Sequence, residues 1–470
     1  MKLARFCFLM LGSVLLAACG GGRSGGGGGQ QPPSNPAIHS EWTWLSGSRT
    51  SGQQSVSVGG AGTTSPTDTP GAREGAVTWR DAAGNLWLFG GVQWTSPEED
   101  QGNFSNGLWE FHDGQWTWVS GDAVANESPI YGTLGVPDSQ NRPGARAYAT
   151  GWTDPMGNFW LFGGLGYGSD GGPAELNDLW KYSGGKWIWM SGSDVTGREG
   201  IYGTQGSPAP DNVPGARFSA SAWTDAFGNL WLFGGFVFDI RGAQPGVINY
   251  TGFNDLWKYS GGEWTWVGGS TLAFQPGVYG TQGTPAAGST PGSRAAAATW
   301  IDRDGNLWLF GGANYDPSTG NFSYFNDLWK YSAGEWTWMG GSDLPDEVGV
   351  YGSPGAPAAI NIPGARVGAV TWIDLSGNLW LMGGSFNGDD YNDLWKYSSG
   401  QWTWMSGSNG ADQAGSYGTQ GSAASSNVPG ARYLASAWMD TSGNLWLFGG
   451  NGYDSADNQG DLNGLWEYRP

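Results

Sequence analysis

Six arginines recur in one setting. Arg73, Arg146, Arg217, Arg294, Arg366 and Arg432 each close the tetrapeptide Pro-Gly-(Ala/Ser)-Arg. Six guanidinium groups brought close together repel one another unless each has a partner, so the pattern implies pairing with carboxylates or main-chain carbonyls in a structural role. The sharper alternative is a ring of cations at the mouth of an axial channel, able to bind an anion. Other chemistry is thin. The two histidines, His39 and His112, cannot supply the ligands of a histidine zinc site. The segment Asp454 to Asp461 offers carboxylates and a glycine for calcium but lacks the alternation of an EF-hand loop. With 41 Asp and Glu residues, the scattered carboxylate pairs that glycoside hydrolysis would need arise by chance. The expectation is no catalytic residue, no metal and no cofactor. A secreted carbohydrate-active enzyme stands as the alternative, and a passive scaffold in an envelope complex as a third reading.

Binding is better supported. Between fixed stretches lie six segments that differ in sequence and length: Val92 to Ser105, Leu165 to Leu176, Phe236 to Phe253, Ala313 to Phe325, Ser385 to Tyr391 and Asn451 to Leu462. They hold twelve acidic residues, among them Glu98, Glu99, Asp100, Asp389, Asp390 and Asp457, against one basic residue, Arg241. They also carry Trp94, Tyr167, Phe236, Phe238, Tyr315, Phe386, Tyr391 and Tyr453, a mix of rigid aromatics and polar groups suited to recognition. Variable loops on a constant scaffold are where binding usually resides. The bland alternative is a solvated surface with the aromatics folded back on the scaffold.

The scaffold is a repeat. Each Pro-Gly-(Ala/Ser)-Arg is followed at constant spacing by G-N-(L/F)-W-L-(F/M)-G-G, then N-(D/G)-L-W-(K/E)-(Y/F), then a W-x-W pair. Arginine-to-arginine periods are 73, 71, 77, 72 and 66 residues, and the variable segments absorb nearly all of the difference. Short Gly and Asn turns join the pieces into antiparallel hairpins, four strands to a unit. The high glycine count of 86 and tryptophan count of 31 also disfavour helix. Small residues near the first strand (Ala76, Ala149, Ala220, Ala297, Ala369 and Ala435) suit the crowded inner position of a propeller blade. Thirty of the 31 tryptophans fall at five fixed positions, which reads as core; Trp94 is outside them. The sixth unit ends at Pro470 without a W-x-W pair, and an orphan pair, Trp42 and Trp44, precedes the first. The expected fold is therefore an all-β, six-bladed β-propeller over residues 41–470. Glu41 to Leu45 would pair with Leu465 to Tyr468 to complete the last blade.

These residues resemble the kelch family: a P-x-x-R start, a double glycine closing the second strand, an aromatic in the third and a tryptophan opening the fourth. The resemblance covers residues 41–470. More narrowly, N-D-L-W-K-Y and W-T-W-M-S-G-S look like a subgroup of bacterial kelch-repeat lipoproteins without a defined activity. A short third-to-fourth turn and a long connection between units depart from the common pattern, which weighs against a partner site of the metazoan kind. Kelch-type propellers resemble the central domain of galactose oxidase. The copper site this implies needs two histidine ligands and a cysteine-modified tyrosine, and the repeat region has no cysteine.

The N-terminus reads as a processing segment. Lys2 and Arg5 precede an apolar run from Phe6 to Ala18. Leu16-Ala17-Ala18-Cys19 resembles the lipobox of bacterial lipoproteins, implying acylation of Cys19. Cleavage removes Cys7 and leaves Cys19 as the sole cysteine, so no disulfide forms within one mature chain. Residues 20–40 are rich in Gly, Ser, Gln and Pro, a flexible tether with a reach of about 26 Å. Loss of Lys2 and Arg5 moves the formal charge from −20 to −22, a poor match for nucleic acid. The sequence thus predicts a monomer, lipid-anchored and extracytoplasmic, that meets an extracellular or envelope protein or glycan. Gly20 after Cys19 favours the outer membrane or cell surface.

Overall fold

The computed structural model describes residues 40–56, 60–94, 102–239 and 249–470; Cys19, His39, Glu98, Glu99, Asp100 and Arg241 lie outside them. The described chain is all β-strand and connection, with no helix. Its larger sheets follow one plan, antiparallel with four main strands from inside to outside, and smaller two- and three-stranded sheets accompany them. The first has Val77–Arg80, Leu86–Phe89, Leu108–His112 and Gln115–Ser120; the second has Thr150–Thr153, Phe159–Tyr167, Pro173–Ser183 and Lys186–Ser191. The same plan recurs from inner strands Ser221–Thr224, Ala298–Ile301 and Val370–Ile373. In the sheet that starts at Ser436–Met439, the outer strand is Glu41–Ser46, antiparallel to Leu465–Arg469, with Trp44 opposite Trp466.

Inner strands alternate buried and half-buried residues, as in Val77-Thr78-Trp79-Arg80. They lie side by side, Val77–Arg80 next to Thr150–Thr153 and so on to Ser436–Met439, which returns to Val77–Arg80. Antiparallel four-stranded sheets arranged in this way define a β-propeller. The tryptophans fill the wedges between sheets. Each inner-strand indole donates to the carbonyl of the second-strand tryptophan in the next sheet: Trp79 to Trp160, Trp152 to Trp231, Trp223 to Trp308, Trp300 to Trp380, Trp372 to Trp446 and Trp438 to Trp87. Third-strand tryptophans such as Trp180 and Trp329 are wholly buried.

Two features explain the constant spacings. At the first inner turn, Asp81 accepts the Asn85 amide and the Trp87 indole, tying the turn to the second strand. The paired glycines mark a close approach between units: both take positive φ, and a Cβ on Gly90 would lie 2.5 Å from the carbonyl oxygen of Arg146 in the next unit. The connection entering each unit runs along that unit's outer strand. The amides of Gly62, Gly135, Gly206, Gly283, Gly355 and Gly421 donate to Trp118, Trp189, Trp266, Trp338, Trp404 and Trp44. This covers strand edges that would otherwise offer free pairing groups.

Candidate functional site

The variable segments were read as loops, and the structure corrects this: their described parts form two-stranded ribbons. After the double glycine the second strand turns and continues, pairing Val92–Gln93 with Asn103–Phe104, Phe236–Asp239 with Asn249–Gly252, Ala313–Asp316 with Asn321–Tyr324, and Asn451–Tyr453 with Gln459–Asp461. In the second and fifth units the ribbon is a direct extension of the sheet beyond a register shift at the glycines. Each ribbon stands on the residues beside a repeat arginine, through Glu74↔Val92, Ala147↔Leu165, Phe218↔Phe236, Ala295↔Ala313, Val367↔Ser385 and Tyr433↔Asn451. Pairing to a distant segment, and not local propensity, makes these strands.

One residue further on, the chain forms an inner ring. Gly75, Tyr148, Ser219, Ala296, Gly368 and Leu434 all take positive φ, between 52° and 64°. Each donates its amide to the carbonyl of the same residue in the preceding unit, Tyr148 to Gly75 at 2.8 Å and Gly75 to Leu434 at 3.2 Å. The Tyr148 hydroxyl and the Trp94 indole both donate to Glu74, which is buried.

The repeat arginines are structural in four units. Arg146, Arg217, Arg294 and Arg366 form two-point pairs with Asp178, Asp255, Asp327 and Asp393 at 2.6–2.9 Å, all of them buried. The same carboxylates accept an indole, as Asp178 does from Trp180, and a tyrosine hydroxyl, as Asp178 does from Tyr131. Arg73 and Arg432 lack this partner, because Gly107 and Gly464 stand where the other copies have aspartate. Ser55 accepts from Arg73 at 2.9 Å, and burial pushes Arg73 down to about 10, with Asp461 opposing. Arg73 also lines a cavity of about 480 Å³ with Gln54, Gln93, Ser105 and Trp109. All six arginines are buried, none more than 6% exposed.

The aromatic candidates divide. Trp94, Phe236 and Tyr315 are buried in a cluster with Phe104, Tyr148, Phe218 and Tyr250. Tyr167, Phe238, Phe386, Tyr391 and Tyr453 are half-buried at the ribbon surface. Neighbouring ribbons lean on one another, with Tyr250 against Tyr315 at 5.5 Å and Tyr324 against Phe386 at 5.3 Å. Tyr391 covers the Arg366 guanidinium at 4.9 Å.

Between the fifth and last ribbons the acids gather. Asp390 is 1% exposed; it receives Gln459 at 3.3 Å, and its amide donates to Asp412. Burial pushes its carboxyl up to about 7, with Asp412 and Asp389 adding to the rise and hydrogen bonds from Ser385 and Gln459 opposing it. Tyr453 is pushed up to about 12, by burial first and then by Asp412 and Asp390. In the segment considered for calcium, Asp454 accepts the amides of Ser51, Ala456 and Asn458, so its oxygens are already engaged. Among the described residues no group of three His, Cys, Asp or Glu side chains is placed to hold a metal ion.

No family model and no curated protein matches the chain. Solved structures of similar fold include the following two. One, titled "Structure of YjhT", is 13% identical with a TM-score of 0.48, covering 84% of this chain and 95% of that one. The other is a "novel fungal alcohol oxidase with catalytic diversity among the AA5 family, in complex with copper", 13% identical with a TM-score of 0.45, covering 87% of this chain and 77% of that one.

Proposed function

We propose that this chain is a lipid-anchored, extracytoplasmic binding propeller of kelch type that presents its ribbon face to a protein or glycan. In this reading it has six blades, and the N-terminal strand Glu41–Ser46 completes the last. Acylation of Cys19 and the tether that follows hold it at a bacterial envelope. The tether enters the outer strand of the last blade from the face opposite the ribbons, so the ribbons point away from the membrane.

One observation carries the binding role. Sequence and length vary in the ribbons while the strands beneath them keep their spacing, and the ribbons share one face. The half-buried Tyr167, Phe238, Phe386, Tyr391 and Tyr453 are the contact candidates, with Asp389 and Asp457 exposed beside them. A glycan array and a set of purified envelope proteins, probed with the tether-free propeller, supply the ligand. A Tyr167→Ala/Phe386→Ala variant, changed only at half-buried ribbon positions, then loses affinity while its unfolding midpoint falls by only a few degrees. Unchanged affinity in the folded variant would place binding elsewhere. Acylation is checked separately: fatty-acid labelling of wild type and its loss in Cys19→Ser are expected.

A further inference from the structure

We propose that the last sheet contains a binding site for a small monovalent carboxylate of formate size, formed by Arg432, Trp466 and Tyr417 around Gly464. The other units supply the template. In four of them an aspartate on the third strand receives two guanidinium nitrogens, an indole N–H and a tyrosine hydroxyl, as Asp393 receives Arg366, Trp395 and Tyr351 at 2.7–2.9 Å.

The last unit keeps every donor and lacks the acceptor. Arg432 is oriented as its counterparts are, donating from Nε to Gly430 and from Nη1 to Gly449. Its Nη2, the Trp466 Nε1 and the Tyr417 Oη are all buried without a hydrogen-bond partner among the described residues. The three residues are 2%, 0% and 3% exposed. Tyr417 lies beside Arg432 and opposes the fall in its pKa through charge and side-chain contact, as Tyr202 does for Arg217. Burial lowers the Arg432 pKa, the direction a cation takes where its counter-ion is missing.

Gly464 is not required by backbone conformation, since it is not at positive φ. A Cβ there would meet Trp466 Nε1 at 3.1 Å, Trp466 Cδ1 at 3.7 Å and Ser48 O at 3.8 Å, so the closest contact is with the indole that donates to aspartate in four other units. A water molecule could accept from these donors but would not neutralise the guanidinium. A planar anion with two oxygens and no methyl group satisfies both needs, because the Gly464 main chain excludes bulk on the Cβ side. The first unit differs: its incoming connection has no tyrosine, and Ser55 already accepts from Arg73.

The probe is sodium formate against sodium chloride at matched ionic strength, with thermal unfolding of the full chain as the readout. Formate is expected to raise the wild-type midpoint along a saturating curve, by about 1–2 °C. Gly464→Asp should raise the midpoint in chloride and abolish the formate increment. Tyr417→Phe should move half-saturation up by about fivefold, the factor given by one lost hydrogen bond. No increment in wild type, or the same increment in wild type and Gly464→Asp, would overturn the site. Should Gly464→Asp fail to fold, unchanged half-saturation in Tyr417→Phe would overturn it alone.

Discussion

The indole N–H of Trp438 donates to the main-chain carbonyl of Trp87 across 3.1 Å. Trp438 is in the last inner strand and Trp87 in the first sheet, yet the bond is the one that Trp300 makes to Trp380 between consecutive sheets. Trp438→Phe and Trp300→Phe should therefore cost about the same, roughly 1–3 kcal/mol from the lost bond and the vacated volume. Urea unfolding of the two variants decides; a far smaller loss for Trp438→Phe would mean that the junction between last and first sheets is weaker than the rest.

The buried ion pairs give a sharper contrast. Asp255→Ala leaves Arg217 buried without its carboxylate and should cost about 3–5 kcal/mol. Arg73 already lacks such a partner, so Gly107→Asp should stabilise or be neutral, although Ser55 partly fills the role. Equilibrium unfolding of both variants checks the pair; an equal loss in each would refute the reading of Gly107 as a missing counter-ion.

Asp390 sets a pH dependence. Its folded-state pKa is raised to about 7, above the usual carboxyl range, so between about pH 4 and 7 the folded chain holds a proton that the unfolded chain has released. Its contribution to stability is therefore fullest at acid pH and declines as pH rises through 7. Asp390→Asn should flatten that part of the stability profile and be the more stable protein at pH 8, by about 1–3 kcal/mol. Midpoints measured from pH 4 to 8 test this; parallel profiles would contradict it.

The aromatic candidates should separate by burial. Trp94→Ala and Tyr315→Ala remove cluster side chains and should cost about 3–5 kcal/mol. Phe386→Ala and Tyr453→Ala, at half-buried positions, should cost clearly less. Calorimetric midpoints for the four variants give the ranking.

Much of this was legible in the sequence, for physical reasons that also mark the limits. Tryptophans at fixed spacing and glycine turns locate the strands, because both report local geometry. The N-D-L-W motif identified a strand, but not the role of its aspartate, whose arginine lies 32 residues away in the case of Asp178 and Arg146. The usable signal was the exchange of aspartate for glycine at Gly107 and Gly464. The ribbons read as loops because they are polar and glycine-rich, and their strands depend on pairing beside the arginines. With the ribbon register unknown, Phe236 and Phe238 looked equivalent; the structure buries the first and leaves the second half-exposed.

The binding role is tested most directly by isothermal titration of a ligand from the array or envelope set against wild type and a Phe238→Ala/Phe386→Ala/Tyr453→Ala variant. The variant should remain folded with its midpoint lowered by only a few degrees, and its affinity should fall at least about tenfold, the loss expected when contact aromatics are removed. A folded variant that binds as tightly as wild type would contradict the assignment of the ribbon face.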